Sequence, residues 1–194
     1  MNLPPDASAN LPAEARDVFD DFTRDFRPLL KEDLLAVYAT GSATQGDYIP
    51  GSSDIDGIAV LREEWRSHCD MPEVEIAWKR LEDAHAGTAL QIQFLTLGQV
   101  RDTLPLVDIE AWHSSGCLVH GRDLRSEVPR PALDTLRLDM TLLFLGRYGG
   151  PLGRTLPYDW CSQECLETFL RHPSMVTLWI VYPARVLHTW NSGR

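Results

Sequence analysis

Asp54 and Asp56 stand two residues apart at the head of an apolar run, Ile58-Ala59-Val60-Leu61. In a strand alternate side chains share a face, so the two carboxylates project together while Ile55 points into the core. Adjacent carboxylates repel and are costly to keep ionised unless a cation lies between them. Mg²⁺, which binds through one or two carboxylates together with substrate phosphates, is the natural partner. Before this pair comes a small-residue turn, Gly41-Ser42. Glycine lets backbone and ligand approach closely, and the amides beyond it, with the Ser42 hydroxyl, can hold phosphate oxygens. Metal and phosphate cradle together point to nucleotide chemistry.

The elements that must position these groups are legible from periodicity. From Pro12 to Leu30 the residues Ala15, Val18, Phe19, Phe22, Phe26 and Leu29 recur at helical spacing, with Asp17, Asp20, Asp21 and Asp25 on a solvated side. Leu34 to Ala39 reads as a strand leading into the turn, and a second strand runs from the aspartates to Leu61. Pro72 to His85 reads as a helix burying Val74, Trp78 and Leu81, closed by Gly87. Ala89 to Leu95 alternates as a half-buried strand, with Leu90, Ile92 and Phe94 on one face and Gln91 and Gln93 on the other. A connecting region follows, then Cys117 to Gly121 as a short strand or turn, then a break at Pro129 and Pro131. Beyond it, Leu133, Leu136, Met140, Leu143 and Phe144 define a helix closed by Gly149-Gly150. Cys161 to Leu170 reads as a shorter helix, and Met175 to Trp190 as an apolar central helix interrupted at Pro183. The expectation is an α+β fold in three parts: a flexible lead-in over 1–11, a mixed-sheet domain over 12–128 and a partial helical domain over 129–194.

Composition bounds the function. A chain of 194 residues, 44% hydrophobic and 24% charged, is ordinary for a soluble globular protein. No apolar run approaches bilayer length, and Met1 to Leu11 lacks the basic and apolar parts of a signal peptide, so no membrane role and a cytoplasmic location are expected. A formal net charge of −10 argues against a nucleic-acid substrate and leans towards a cationic small molecule. The four cysteines have no CxxC spacing, and Cys161 and Cys165 read as helical neighbours in a core. His113, Cys117 and His120 are spaced loosely like metal ligands but lack a fourth, so structural zinc is not expected.

The order of apolar strand, Gly41-Ser42, spacer and Asp54-Ile55-Asp56 resembles the signature of the nucleotidyltransferase superfamily, which includes polymerase-beta-like enzymes and aminoglycoside adenylyltransferases. Ser115 to Leu124 looks like the segment that closes the catalytic domain of the streptomycin/spectinomycin adenylyltransferases, and Ala184 to Gly193 is similar to an arginine-bearing helix of their C-terminal domain. The resemblance implies a nucleotidyltransferase-type mixed sheet flanked by helices. It implies Mg²⁺ on Asp54 and Asp56, and a nucleoside triphosphate (ATP) contacted by Gly41, Ser42, Ser53 and Arg185. It implies transfer of a nucleoside monophosphate to a hydroxyl of a small molecule such as an aminoglycoside. The chain departs from that pattern in three ways. Gly57 stands where an apolar residue is usual. Gln91 stands where the family places its general base, and an amide takes no proton at neutral pH. The chain also stops at Arg194, where the family continues into a lysine-bearing segment and further helices. Glu73, Glu75, Asp102 and Asp108 are the carboxylates that could stand in for the base, although each reads more simply as a surface acid. The alternative function is a catalytically impaired relative acting as a nucleotide-binding or antitoxin-like interaction module. Apolar surface between Met175 and Trp190 favours a homodimer or other partner for such a module.

Overall fold

The computed structural model describes residues 10–136 and 138. The chain divides into two compact units, Met1–Leu104 with Asp108–Arg130, and Pro105–Val107 with Pro131–Arg194. The expected helices beyond Leu138, together with Arg185, Cys161, Cys165 and the Met175 to Trp190 segment, lie outside the described residues.

Helix α1 (Ala13–Leu30) forms because apolar side chains recur on one stripe; Val18, Phe22, Phe26 and Leu30 follow one another at intervals of a turn and are buried, as are Ala15 and Phe19. Strand β1 (Leu34–Thr40) follows, then the short helix α2 (Ser42–Gln45) and strand β2 (Ile55–Leu61). The next connection carries α3 (Trp65–His68) and α4 (Met71–Ala84). Asp70 caps α4 by accepting the Glu73 N–H, and the helix buries Val74, Ala77 and Leu81. Strand β3 (Leu90–Thr96) then pairs parallel to β2, which is why a crossover of this length separates them. The sheet is completed by β4 (Cys117–Gly121), antiparallel to β1, giving the order β3-β2-β1-β4 with β1 and β2 antiparallel. This is a mixed sheet flanked by helices in an α+β fold.

One face of the sheet supplies Val37, Ala39, Ile55, Ala59, Leu61 and Ile92 to a core shared with α1 and α4. Phe22 stacks on Phe26 at 4.4 Å, and Phe94 lies 5.4 Å from Phe26 and 6.0 Å from Trp78. On the other face Tyr38 meets the Trp112 ring edge-on at 5.1 Å. The Tyr38 hydroxyl accepts the Leu124 N–H at 2.6 Å and donates to Asp123 at 3.1 Å, tying the segment after β4 back to the sheet. Burial pushes that phenol well above its ordinary range.

Three expectations need correction. The region between β3 and β4 is not merely connecting: it holds α5 (Leu97–Asp102), opened by a Thr96/Gln99 capping box, and α6 (Leu106–Ser115). The inward positions of α6 include Glu110 beside Ile109 and Trp112, so its apolar period is broken. The buried Glu110 carboxylate accepts from Arg130, with Nε at 2.8 Å and a second contact from Nη2. The turn at Ser42 is a helical turn, α2, and Trp65–His68 adds another. Asp21 is not simply solvated, because it meets the His85 ring at 3.0 Å. Gly57 is required by packing: a Cβ there would lie 2.8 Å from the Phe19 ring and 2.9 Å from the Tyr38 carbonyl, so Phe19 fills the space that an apolar side chain would take. Among the described residues, Cys69 and Cys117 are not joined in a disulfide. Among the described residues no helix is long and apolar enough to cross a membrane.

Candidate active site

Where β1 runs out at Thr40, the chain turns through Gly41 with φ 65° and ψ −151°, a region adopted essentially by glycine alone. Thr40 is paired with Asp56 across the β1–β2 ladder. As a result, the Asp56 carboxylate sits directly over the turn; a Cβ at position 41 would come within 2.1 Å of its Oδ2. Backbone conformation and side-chain space thus both demand glycine at this point. The turn is closed by the Thr44 hydroxyl and N–H, which donate to the Gly41 carbonyl at 3.0 and 3.2 Å. Ser42, first residue of α2, is only 9% exposed, and its Oγ has no hydrogen-bond partner among the described residues. A buried hydroxyl in that state is costly and marks a place where a polar ligand group would be satisfied.

Asp54 immediately precedes β2. The next residue, Ile55, donates its N–H to the Ala89 carbonyl at 2.8 Å, which starts the parallel pairing of β2 with β3. That register sets Gln91 beside Asp56, and the Gln91 side-chain Nε2 donates to Asp54 Oδ2. Gln91 is exposed, on the opposite face from buried Ile92. Gly41, Ser42, Asp54, Asp56 and Gln91 are therefore gathered at one end of the sheet. Ser53 lies in the spacer, where its Oγ accepts the Ile49 N–H at 3.0 Å and its own N–H donates to the Ile49 carbonyl at 2.9 Å, so it closes a local turn. Arg185 lies outside the described residues.

The donor set at this end consists of two carboxylates and a buried hydroxyl without a partner among the described residues, all hard oxygens of the kind Mg²⁺ and phosphate take. Among the described residues no group of three or more His, Cys, Asp or Glu side chains converges. Of the carboxylates that could replace the base, Glu73 and Glu75 are exposed on α4, Asp108 is exposed on α6, and Asp102 pairs with Arg101 at 2.9 Å, which holds its carboxyl below the usual range. His113 meets the Val128 carbonyl at 2.9 Å.

One group that bears on the site was missed. Glu14, in the first turn of α1, accepts from the Tyr48 hydroxyl at 2.6 Å and from the Thr88 hydroxyl at 2.7 Å. Tyr48 belongs to the spacer before Asp54, and Thr88 to the loop before Gln91. Those two donors hold the Glu14 carboxyl below its ordinary range, while burial and the neighbouring carboxylate push the Tyr48 phenol up to about 12. A sequence signal existed: Glu14 stands one turn before Val18 on the stripe continued by Phe22 and Phe26, an acid where the period predicts an apolar residue.

No protein-family model matches the chain, and no curated protein matches it. Among solved structures, it is similar to the spectinomycin adenyltransferase of Enterococcus faecialis, solved with ATP and spectinomycin. The identity is 11% and the TM-score 0.54, over 84% of this chain and 75% of that one. A toxin–antitoxin structure with AMP-PNP matches over 67% of this chain and 92% of that one, at 16% identity and a TM-score of 0.38, which is too slight a likeness to argue from. The mixed sheet, the helices flanking it and the likeness to the adenyltransferase agree: the fold is that of the nucleotidyltransferase superfamily.

Proposed function

We propose that the protein is a Mg²⁺-dependent nucleotidyltransferase that transfers AMP from ATP to a hydroxyl of a small cationic acceptor of the aminoglycoside kind. The observation that carries this reading is the placement of the Asp56 carboxylate over the Gly41 turn, beside the buried Ser42 hydroxyl that lacks a partner among the described residues. Asp54 and Asp56 would hold the metal, whose charge, when bound, neutralises the triphosphate and the leaving pyrophosphate. The Ser42 hydroxyl donates to a phosphate oxygen and so gains a partner. The acceptor oxygen bonds to the α-phosphorus as the bond to pyrophosphate breaks, and its proton leaves to solvent water. Gln91 cannot take the acceptor's proton; it donates to Asp54 and so holds that carboxylate in one orientation. The likeness to an adenyltransferase supports the nucleotide, and the net charge of −10 supports a cationic acceptor.

The test is calorimetry with Mg·ATP, followed by pyrophosphate release with spectinomycin and streptomycin as acceptors. Asp54→Asn and Asp56→Asn should each abolish Mg²⁺-dependent ATP binding while leaving the thermal transition in place. Unchanged affinity in both variants would remove the metal role and the reading with it.

A further inference from the structure

The two loops that lead into the site end on one carboxylate. The spacer reaches Glu14 Oε2 through the Tyr48 hydroxyl, and the loop after α4 reaches Glu14 Oε1 through the Thr88 hydroxyl. From Thr88 the chain passes to Ala89, whose carbonyl accepts the N–H of Ile55, the residue between Asp54 and Asp56. Two residues further on, Gln91 donates to Asp54. Tyr48 and Leu90 also pack on the core that α1 anchors, so neither loop can shift as a free surface segment. Asp21, on the same helix, adds a third tether by meeting His85.

We propose that Glu14 is a positioning residue: by bridging Tyr48 and Thr88 it sets the Asp54 carboxylate against Gln91 and thereby prepares the pair Asp54 and Asp56 to receive metal and nucleotide. The second half of that statement rests on the nucleotidyltransferase reading above; the first half does not. Glu14 needs no contact with substrate to act. Removing a group that orients a metal's ligands typically costs about ten- to a hundredfold in metal affinity, and the bridge from Glu14 to the two loops is such a group under that reading.

The experiment follows the full-length protein through two readouts. The first is Mg·ATP affinity by calorimetry, with Mn²⁺ alone as a second probe; the second is the Gln91 side-chain amide resonances of the ligand-free protein by NMR. Glu14→Ala should shift the Gln91 resonances towards those of a free glutamine amide and weaken Mg·ATP binding by about ten- to a hundredfold. Glu14→Gln should restore most of both, because its amide accepts from one hydroxyl and donates to the oxygen of the other. If the wild type binds Mg·ATP and Glu14→Ala binds it equally well, the positioning role is overturned while the nucleotide reading stands. If the wild type does not bind Mg·ATP, that reading falls, and the resonances still decide Glu14: unmoved they overturn its role, moved and rescued by Glu14→Gln they support it. Should Glu14→Ala fail to fold, Tyr48→Phe and Thr88→Val each remove one donor and leave the carboxylate in place. Each should then move the Gln91 resonances, and silence from both overturns the proposal.

Discussion

Changing Gln91 to glutamate tests the candidate site most directly. In the protein as it stands, Nε2 of Gln91 donates to Asp54 Oδ2. The Gln91→Glu substitution would replace that bond by two carboxylates in contact, with Asp56 the partner in register on the next strand. Losing a hydrogen bond to a charged acceptor costs about 1.5–3 kcal/mol. Repulsion between unit charges at about 4 Å adds about 1 kcal/mol in water and about 4 kcal/mol at the dielectric of a protein surface. Position 91 is exposed, which puts the repulsion towards the lower figure, and a proton shared between the carboxylates limits it further. The metal-free variant should therefore be less stable by about 2–3 kcal/mol, a Tm lower by roughly 4–12 °C for a chain of this size. Mg²⁺ should reverse the loss, since a ligand at a hundred times its Kd returns about 2.7 kcal/mol. The assay is a thermal melt in EDTA and across a Mg²⁺ titration, with pyrophosphate release measured alongside. A general base in the right place should raise turnover by about 10²–10⁴-fold. An unchanged Tm in EDTA with no response to Mg²⁺ would refute the contact between residues 91 and 54. Brisk turnover by the wild type, unaltered in Gln91→Glu, would place the base elsewhere.

Other perturbations separate the site from the scaffold. Gly41→Ala should abolish Mg·ATP binding at little cost to the helical circular dichroism signal, since its Cβ would stand 2.1 Å from Asp56 Oδ2; retained affinity would mean the turn only connects strands. Arg130→Ala should destabilise the fold by about 2–3 kcal/mol in urea by stranding the buried Glu110, and adding Glu110→Gln should recover much of it; a neutral single variant would show that Glu110 is solvated. The Arg125 guanidinium holds the Asp123 carboxyl down at about 2, so this pair contributes stability above the unfolded carboxylate pKa that is lost as pH falls through about 2. With Asp123 41% exposed, screening limits the contribution to about 1 kcal/mol; the gap to Asp123→Asn should be full above pH ~4 and close towards pH ~2, and a gap independent of pH would refute the pairing.

What the sequence could reveal depended on how local each cause was. That Asp54 and Asp56 share a face follows from strand alternation, a period of two that also puts Gln91 and Gln93 together on one face, whereas only the family resemblance separated Gln91 from Gln93. Gly41 follows from a turn whose steric demand comes from its own backbone and the adjoining strand. Glu14 is different: its partners lie 34 and 74 residues away, and only the intrusion of an acid into an apolar stripe hinted at them. Helix α6 was hidden for a related reason. Its inward face includes Glu110, which is tolerable only because Arg130 comes back to it from 20 residues further along. Gly57 departs from the expected pattern, and Phe19, reaching in from α1, explains the departure. Charge satisfied at long range is what periodicity cannot register.

The strand directions explain how the site can be altered without disturbing the fold. Because β1 is antiparallel to β2 and β3 is parallel to it, the end of β1 and the starts of β2 and β3 fall at the same edge of the sheet. Gly41, Asp56 and Gln91 are those three ends, and the loops feeding β2 and β3 arrive side by side over the first turn of α1. The core, by contrast, is built from the opposite face, through Ile55, Ala59, Leu61 and Ile92. Position 91 is exposed, so neither packing nor burial dictates whether it carries an amide or a carboxylate. Its chemistry is set by Asp54: an amide neutralises nothing and donates one bond, whereas a carboxylate requires a cation to be tolerated there. With glutamine at that position the metal-free site is already satisfied on the Asp54 side, while the Ser42 hydroxyl still lacks a partner among the described residues. Because that amide neutralises neither carboxylate and Asp56 lies over the Gly41 turn, a bare triphosphate would be repelled there; under the proposed function, phosphate oxygens should reach the Ser42 hydroxyl together with the cation. Triphosphate should then bind measurably only with Mg²⁺ and more weakly in Ser42→Ala, and equal affinity in EDTA would contradict that joint assembly.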